Sequence, residues 1–484
     1  MEKEANLLYN FDNLSNYSYF DDSCFVQKNV DKFTYKLTGM WKKMDYFGWI
    51  LRNSHGVDSS TGLNDYLVWS NDSEAGDSDV CAIKKGNMVT FKHMPGHGWH
   101  NIMINTSQVL NQAICGYLLT GDEIMGKVTE QYCKGITATM KGMMYNEKDN
   151  EHFLMARNII PESHEFVTDN GFKKAIDYDS WRCEENHWNA QRFNYPNNPY
   201  FGDVYVTNTR SKDDLPHILR AAAFLPDVIL NAKHKKVANA AKEAYDYLQN
   251  FCKDVVENKF HIRTKNGEGK AYIPKGDLAS FVNYGKKIEN NAKLTAILLG
   301  YENNGQLSAT KGYGGIYETI AANVNYYNYK IINGFHMTAI LHSLNNEKNE
   351  IANKLLKGLK KRADWLMKSK IHEKARKNVR WLPDLSLFLL KAASAGMPLN
   401  IEQSNLIYNE FSKAIKKYSD FRRWNLWDSS VPDGVYGSKG GYIPKSDCLV
   451  KPIELGFFFE YAYSPYKIGN ELVNTEIIKN KSKW

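Results

Sequence analysis

The chain has 484 residues, a formal net charge of +8 and 43% hydrophobic residues. This composition excludes a disordered chain, and the length suffices for one large repetitive domain or for two to three average ones. No apolar run reaches the roughly 18 residues that a membrane span needs, so we expect no membrane insertion.

The basic excess is spread along the chain in pairs such as Lys235–Lys236 and Lys360–Lys361. Without a dense basic block or a recognisable module, we expect no nucleic-acid partner. A mild positive field favours an acidic ligand instead. The seven cysteines include no CxxC pair and form neither a disulfide framework nor a zinc ribbon. The first residues lack a secretory signal, which predicts a cytoplasmic protein or a processed secreted or periplasmic form.

Residues 1–95 are rich in Asn, Asp, Ser and Tyr and contain short alternating pieces such as Phe33–Leu37 and Asn87–Lys92. Alternation over so few residues is typical of short strands. We expect an irregular N-terminal segment with a few short strands, packed on a helical domain over 96–484.

From about residue 100 the apolar residues recur at helical spacing. Ile102–Leu119 and Ile124–Met144 flank a Thr-Gly-Asp break and predict an αα-hairpin. Three further pairs follow the same pattern: Leu219–Leu230 with Val237–Val256, Ile316–Leu344 with Ile351–Met367, and Leu382–Ala395 with Ile401–Tyr418.

Long polar loops separate these pairs, at 157–216, 260–290, 300–315 and 420–452. Tyr272–Asp277 and Tyr442–Asp447 are nearly identical hexapeptides, as repeated units that place the same loop at one rim would have. The predicted fold is mainly α, an (α/α) toroid or incomplete toroid of helical hairpins. An open solenoid is the competing arrangement, and the long, irregular, aromatic loops favour the closed ring.

The first candidate site is the segment Phe91–Asn101, which contains His93, His97, Trp99 and His100. Pro95 and Gly96 prevent a helix from aligning the histidines, so helical metalloprotease geometry is excluded. We predict that His97, Trp99 and His100 contact a sugar and that no metal is bound, with a structural loop as the alternative.

The densest polar and aromatic stretch is residues 181–217. So many titratable groups beside aromatic rings are typical of a substrate site, although a solvated loop can also hold some of them. Trp181, Trp188 and His217 are predicted substrate-binding residues.

Within this stretch, Asn186-His187-Trp188 resembles the toroid-type polysaccharide lyases, including the alginate lyase group. Those enzymes carry an Asn-His element near an aromatic residue, in a pattern like Asn-Asn-His-x-Tyr-Trp. Here Glu185 precedes Asn186 and Trp188 directly follows His187. The resemblance implies β-elimination on a uronate-containing glycan without an organic cofactor.

The same resemblance implies a role in β-elimination for each of several residues. Asn186 with Arg192 or Arg210 would neutralise the uronate carboxylate, and His187 would remove the neighbouring proton. A tyrosine would return a proton to the leaving oxygen; the candidates are Tyr195, Tyr200 and Tyr205.

Asp214 supports a rival interpretation. It precedes a predicted helix, where a carboxylate commonly caps the backbone. It is also a candidate general acid for a glycoside hydrolase, with Asp428, Asp433 or Glu454 as the partner carboxylate. In that case the segment 424–436, with Trp427, would form the facing wall.

The predicted helix that follows Tyr313–Tyr317 is unusually polar. An inner helix that faces a wet cavity would carry such residues, and so would polar packing between helices. Tyr317, Asn325 and His336 are predicted substrate contacts.

No P-loop, dinucleotide fingerprint, nucleophile elbow or HExxH motif occurs. The leading hypothesis is therefore a polysaccharide lyase acting on an acidic oligo- or polysaccharide. The alternatives are a glycoside hydrolase on the same scaffold and a helical-repeat binding protein without catalysis.

Overall fold

The computed structural model describes residues 80–93, 102–144, 153–162, 165–168, 171–174, 192–207, 214–257, 326–345, 349–369, 384–421, 429–430, 432–436 and 456–463. This part of the chain is mainly helical, as predicted, with few short strands. None of its helices is both long and apolar enough to cross a membrane.

The helices in these ranges are α1 (Ile102–Thr120), α2 (Glu123–Lys141), α3 (Leu215–Ala222), α4 (Leu225–Asn231), α5 (Lys235–Glu257), α6 (Tyr326–Asn345), α7 (Asn349–Ser369), α8 (Asp384–Ser394), α9 (Ile401–Phe421) and α10 (Phe457–Tyr463).

The strands form two sheets. The larger has the order β5-β4-β2-β1-β8 and is built from β1 (Val80–Lys85), β2 (Met88–His93), β4 (Glu165–Thr168), β5 (Gly171–Lys174) and β8 (Gly434–Tyr436). The smaller has the order β3-β7-β6 and is built from β3 (Asn158–Pro161), β6 (Arg192–Asn198) and β7 (Gly202–Thr207). All neighbours pair antiparallel except β2 and β4.

Six of these strands lie after residue 95, and five of them lie in the segment 157–216 that the sequence predicts to be a loop. The prediction of a long loop over 157–216 is wrong where these five strands form. Each of the six strands is only three to seven residues long, so its own alternation is a weak signal and backbone pairing with a neighbouring strand fixes it. The β1–β2 hairpin, for instance, lies beside β8, and Gly86 N donates to Asp433 Oδ1 at 2.8 Å.

The α1–α2 hairpin forms where the sequence predicts it. Gly121 adopts a φ of 68°, and the Asp122 carboxylate caps α2 by accepting hydrogen bonds from Ile124 N and Met125 N at 2.9 and 3.0 Å. The two helices cross closely at Gly116 and Gly126.

The predicted helix Leu219–Leu230 is instead two helices, α3 and α4. Pro226 lies in the first turn of α4, where its missing N–H costs nothing, but it cannot continue α3.

The helices are of two kinds. We call α1, α3, α6, α8 and α10 the buried helices, because none of their residues with described side chains is exposed except Asn345 at the end of α6. We call α2, α5, α7 and α9 the surface helices, because each has exposed residues on one face. Apart from α4, the two kinds alternate along the chain.

The buried helices α1, α3 and α6 run in the same direction. Gln108 of α1 contacts His217 of α3, and one turn later both helices contact α10. From α6, Thr338 donates to Pro216 O at 3.2 Å and His342 Nε2 donates to Leu219 O at 2.9 Å. The amino ends of α1, α3 and α6 therefore lie at the same end of the molecule.

Candidate functional site

The candidate site lies at this shared end, where α1 and α3 meet. Gln108 projects from the second turn of α1, and His217 projects from the first turn of α3. The amide nitrogen Nε2 of Gln108 lies 3.3 Å from Nδ1 of His217, and the imidazole is half-buried. With the amide as donor, Nδ1 accepts and the ring proton of neutral His217 sits on Nε2.

Asp214 lies one turn before His217. Its backbone carbonyl accepts hydrogen bonds from His217 N and Ile218 N at 3.1 and 3.0 Å, which begin α3. Its side chain is fully buried and makes no capping hydrogen bond to the helix. The Asp214 carboxylate therefore does not cap α3, which is one of the two interpretations that the sequence leaves open.

The amino end of α3 also contributes to the field at this site. An α-helix carries a partial positive charge at its amino end, and His217 lies in the first turn of α3, within reach of that charge. Such a position favours a bound anion, provided that side chains can also reach it. The imidazole and the amide at this helix end can bind an acidic group, and the imidazole can transfer a proton.

Three candidates of the long stretch 181–217 lie in the smaller sheet. Arg192 pairs with Thr207 and Tyr195 pairs with Val204, both in register between β6 and β7. Tyr205 of β7 has a buried side chain that belongs to the main hydrophobic core, with 4% exposure. Tyr200 lies in the turn after β6, where Lys141 Nζ sits 5.1 Å from its ring centroid.

His336 lies on α6 and is buried, with 2% exposure. Its Nδ1 lies 2.8 Å from Nη1 of Arg362 on α7, and the same guanidinium nitrogen donates to Asn333 Oδ1. His336 therefore takes part in polar packing between α6 and α7, one of the two interpretations that its sequence context leaves open.

The other predicted site residues lie outside the described residues. The catalytic candidates among them are Asn186, His187 and Arg210, and the hydrolase candidates are Asp428 and Glu454. The substrate-binding candidates are His97, Trp99, His100, Trp181, Trp188, Tyr317, Asn325 and Trp427. In the described ranges, no group of three His, Cys, Asp or Glu side chains is arranged to hold a metal ion.

Gln108 is the residue that sequence reasoning misses. It lies inside an apolar helical run, and it meets His217 across 109 positions of sequence. The one signal in its neighbourhood is the polar run Asn105–Gln108 within α1, which the structure buries between helices. Such a run in a helix without exposed residues indicates contacts to other buried polar groups.

Comparison with protein-family models, with curated proteins and with solved structures found no match in any of the three.

Proposed function

We propose that the protein closes its helix pairs into an (α/α) toroid and cleaves an acidic, uronate-containing glycan by β-elimination. The observation that carries the proposal is the Gln108–His217 contact at the amino end of α3, with Asp214 one turn away. An amide and an imidazole are the two group types that the elimination needs first.

The toroid is supported by how the described helices pack. The buried helix α1 packs on α3, α3 packs on α6, and α10 packs on both α8 and α1, so the last described helix returns to the first. Three buried helices pack on the surface helix that follows them, as in α1–α2, α6–α7 and α8–α9. An inner and an outer layer of helices would give this pattern.

The chemistry requires three tasks. Neutralising the uronate carboxylate makes the adjacent C–H acidic, and the Gln108 amide and the amino end of α3 suit that task. The imidazole of His217 or His187 takes the proton as the carbon–carbon double bond forms. The glycosidic C–O bond at the β carbon breaks, and a tyrosine or water protonates the departing oxygen.

Chain connectivity supports the same location. The segments that end where α1, α3 and α6 begin contain the sequence candidates His97 to His100, Asn186 with His187, and Tyr317 with Asn325. The turns between α1 and α2 and between α6 and α7, at the opposite end of these helices, span only two and three residues. This order of segments along the chain is consistent with a site near Gln108 and His217.

A glycoside hydrolase is the second candidate. The observation that favours it is the Asp214 side chain, which is buried one turn before His217 and is not used to cap α3. Hydrolysis needs a carboxylic acid that protonates the leaving oxygen and a second carboxylate across the cleft. The partner candidates Asp428 and Glu454 belong to the segment that precedes α10, and the third candidate, Asp433, accepts a hydrogen bond from Gly86 N.

The test is an absorbance assay with alginate, polygalacturonate and hyaluronate. Elimination creates an unsaturated uronate that absorbs in the ultraviolet, whereas hydrolysis creates reducing ends without that absorbance. We expect His217→Gln to lower kcat by about 10²–10⁴-fold. His234→Gln is the matched control, because His234 is also half-buried but contacts Tyr117 at the other end of α1.

Each outcome has a meaning. Reducing ends without absorbance would replace the lyase with the hydrolase. Glycan binding without turnover in the unaltered protein would indicate the non-catalytic binding protein. Equal activity of His217→Gln and His234→Gln would remove His217 from the site.

A further inference from the structure

A buried charged cluster joins four helices one turn below the candidate site. Glu460 of α10, fully buried, accepts a hydrogen bond at Oε1 from Nε of Arg220 on α3, at 2.7 Å. Its Oε2 accepts from Nδ2 of Asn111 on α1, at 2.6 Å. Nη2 of Arg220 forms an ion pair with the same carboxylate and donates to the carbonyl of Lys391 on α8, at 2.8 Å.

The cluster residues on α1 and α3 each lie one helical turn after the site residue on the same helix. Asn111 follows Gln108 by three residues on α1, and Arg220 follows His217 by three residues on α3. Residues three apart on a helix lie on nearly the same face. One carboxylate thus holds the two helix faces that carry the amide and the imidazole.

We infer that Glu460, acting through Asn111 and Arg220, is a positioning residue that fixes the rotation of α1 and α3 and so keeps Gln108 against His217. The catalytic part of this inference rests on the proposed function, and the geometric part does not. A carboxylate suits the task because its two oxygens are occupied by two different helices, so neither helix can turn without breaking a charge-assisted hydrogen bond.

Stability alone does not account for the cluster. Burying two charges has a large desolvation cost, and well-packed apolar residues of similar volume commonly support a fold as well. Contacts between apolar residues are not directional, whereas hydrogen bonds fix the angle between their partners. A cluster of this kind fixes the orientation of the helices more than it raises the free energy of unfolding.

The test compares three variants of the full chain. The double variant Arg220→Met with Glu460→Leu removes both charges and keeps the volume, and Asn111→Leu releases only α1. Tyr463→Phe is the matched control, because it removes the 2.5 Å hydrogen bond from the same helix α10 to Asp227 but leaves the cluster intact. Two readouts are taken: the ¹⁵N signals of labelled His217, assigned with His217→Gln, and kcat and KM for elimination.

We expect the double variant and Asn111→Leu to unfold cooperatively, to shift the Nδ1 signal of His217, and to lower kcat about 10–100-fold with a smaller change in KM. Tyr463→Phe should leave the signal and kcat unchanged. If the double variant fails to fold, Asn111→Leu decides alone, because the ion pair remains.

An unshifted His217 signal in folded variants would overturn the inference, whatever happens to kcat. So would a Tyr463→Phe variant that shifts the signal equally, since any disturbance of α10 would then suffice. If the unaltered protein produces no unsaturated product while the cluster variants still shift the signal, the positioning role stands and the proposed function fails.

Discussion

At the scale of single residues, Asn198 joins a helix end to a strand turn. Its amide Nδ2 donates to the carbonyls of Lys141 and Met144 at the end of α2, and its Oδ1 accepts from the backbone N–H groups of Tyr200 and Phe201. A helix leaves its last four carbonyls without intrahelical partners, so a buried asparagine here satisfies groups that nothing local can reach.

We therefore expect Asn198→Ala to lower the free energy of unfolding by about 2–3 kcal/mol, because buried carbonyls and N–H groups lose their partners. Urea titration measures this. Asn231→Ala is the control: its side chain is half-buried and donates only to Asp227 O within its own helix, so we expect less than about 1 kcal/mol. Equal losses in both variants would contradict the special role of Asn198.

His342 gives a pH-dependent prediction. Burial lowers its pKa from 6.5 to about 4, although the hydrogen bond to Leu219 O acts in the opposite direction. The unfolded chain therefore binds a proton at a higher pH than the folded chain. Stability is fully present above about pH 6.5 and is lost as the pH falls toward 4, by up to about 3 kcal/mol.

His342→Gln removes the titrating group and keeps a donor. We expect the difference in unfolding free energy between pH 7 and pH 5 to be smaller in this variant than in the unaltered protein. Urea midpoints at the two pH values measure it. If the two proteins show the same difference, other groups dominate the acid response.

Single residues also show where sequence reasoning reaches its limit. The dense polar stretch makes His217 and Asp214 candidates from sequence alone, because titratable groups beside a helix start are visible locally. Neither the Gln108 contact to His217 nor the capping of α2 by Asn198 is visible in that way. Both depend on which elements become neighbours, since the paired residues are 109 and 57 positions apart in the chain.

At the scale of helices and strands, the 3.6-residue period predicts α1, α2, α5, α7, α8 and α9 to within a few residues at each end. It misses the break between α3 and α4, where Pro226 interrupts an unbroken apolar pattern. It misses β3 to β7 because strands of four to seven residues owe their form to partners rather than to their own alternation.

The crossing of α1 and α2 offers a test at this scale. A Cβ added at Gly126 would lie 2.9 Å from the ring of Tyr117, and the Tyr117 hydroxyl lies 2.9 Å from His234 Nδ1. A Cβ at Gly116 would lie 2.5 Å from the flexible end of Met125. Since a held ring yields less than a methionine, we expect Gly126→Ala to lose about 1–3 kcal/mol.

Gly116→Ala should lose less than Gly126→Ala, because the flexible end of Met125 can move away from the new Cβ. Alanine favours a helix by roughly 1 kcal/mol over glycine at both positions, so this gain does not change the order. Thermal unfolding of both variants at one pH gives the order. The reverse order would mean that the Tyr117 ring moves more readily than the Met125 side chain.

At the scale of the whole molecule, Glu460 connects the last described helix to two early ones. We expect Glu460→Gln, which keeps the shape and removes the charge, to lower the free energy of unfolding by about 3–5 kcal/mol. The reason is that Arg220 remains charged and buried. Denaturant titration measures the loss. The double variant Arg220→Met with Glu460→Leu buries no unpaired charge, so most of this loss should be absent from it.

The overall class follows from the sequence, and the arrangement of the helices around one another does not. Repeated apolar pairs predict a mainly helical protein, which the described residues confirm. Whether the pairs bend into a ring depends on contacts such as Asn111 to Glu460, 349 positions apart, and no local pattern encodes such a contact. The parallel direction of α1, α3 and α6 likewise becomes known only from side chains that bridge them.

The wide separation of Arg220 and Glu460 along the chain has a consequence for biosynthesis. Arg220 is translated 240 residues before its carboxylate partner, which at ordinary elongation rates is a delay of roughly 10–50 s. Burying the guanidinium without that partner is costly, so we expect α1 and α3 to reach their final packing only after Glu460 has left the ribosome. Until then their apolar faces stay open, and chaperones that bind such faces would act at this stage.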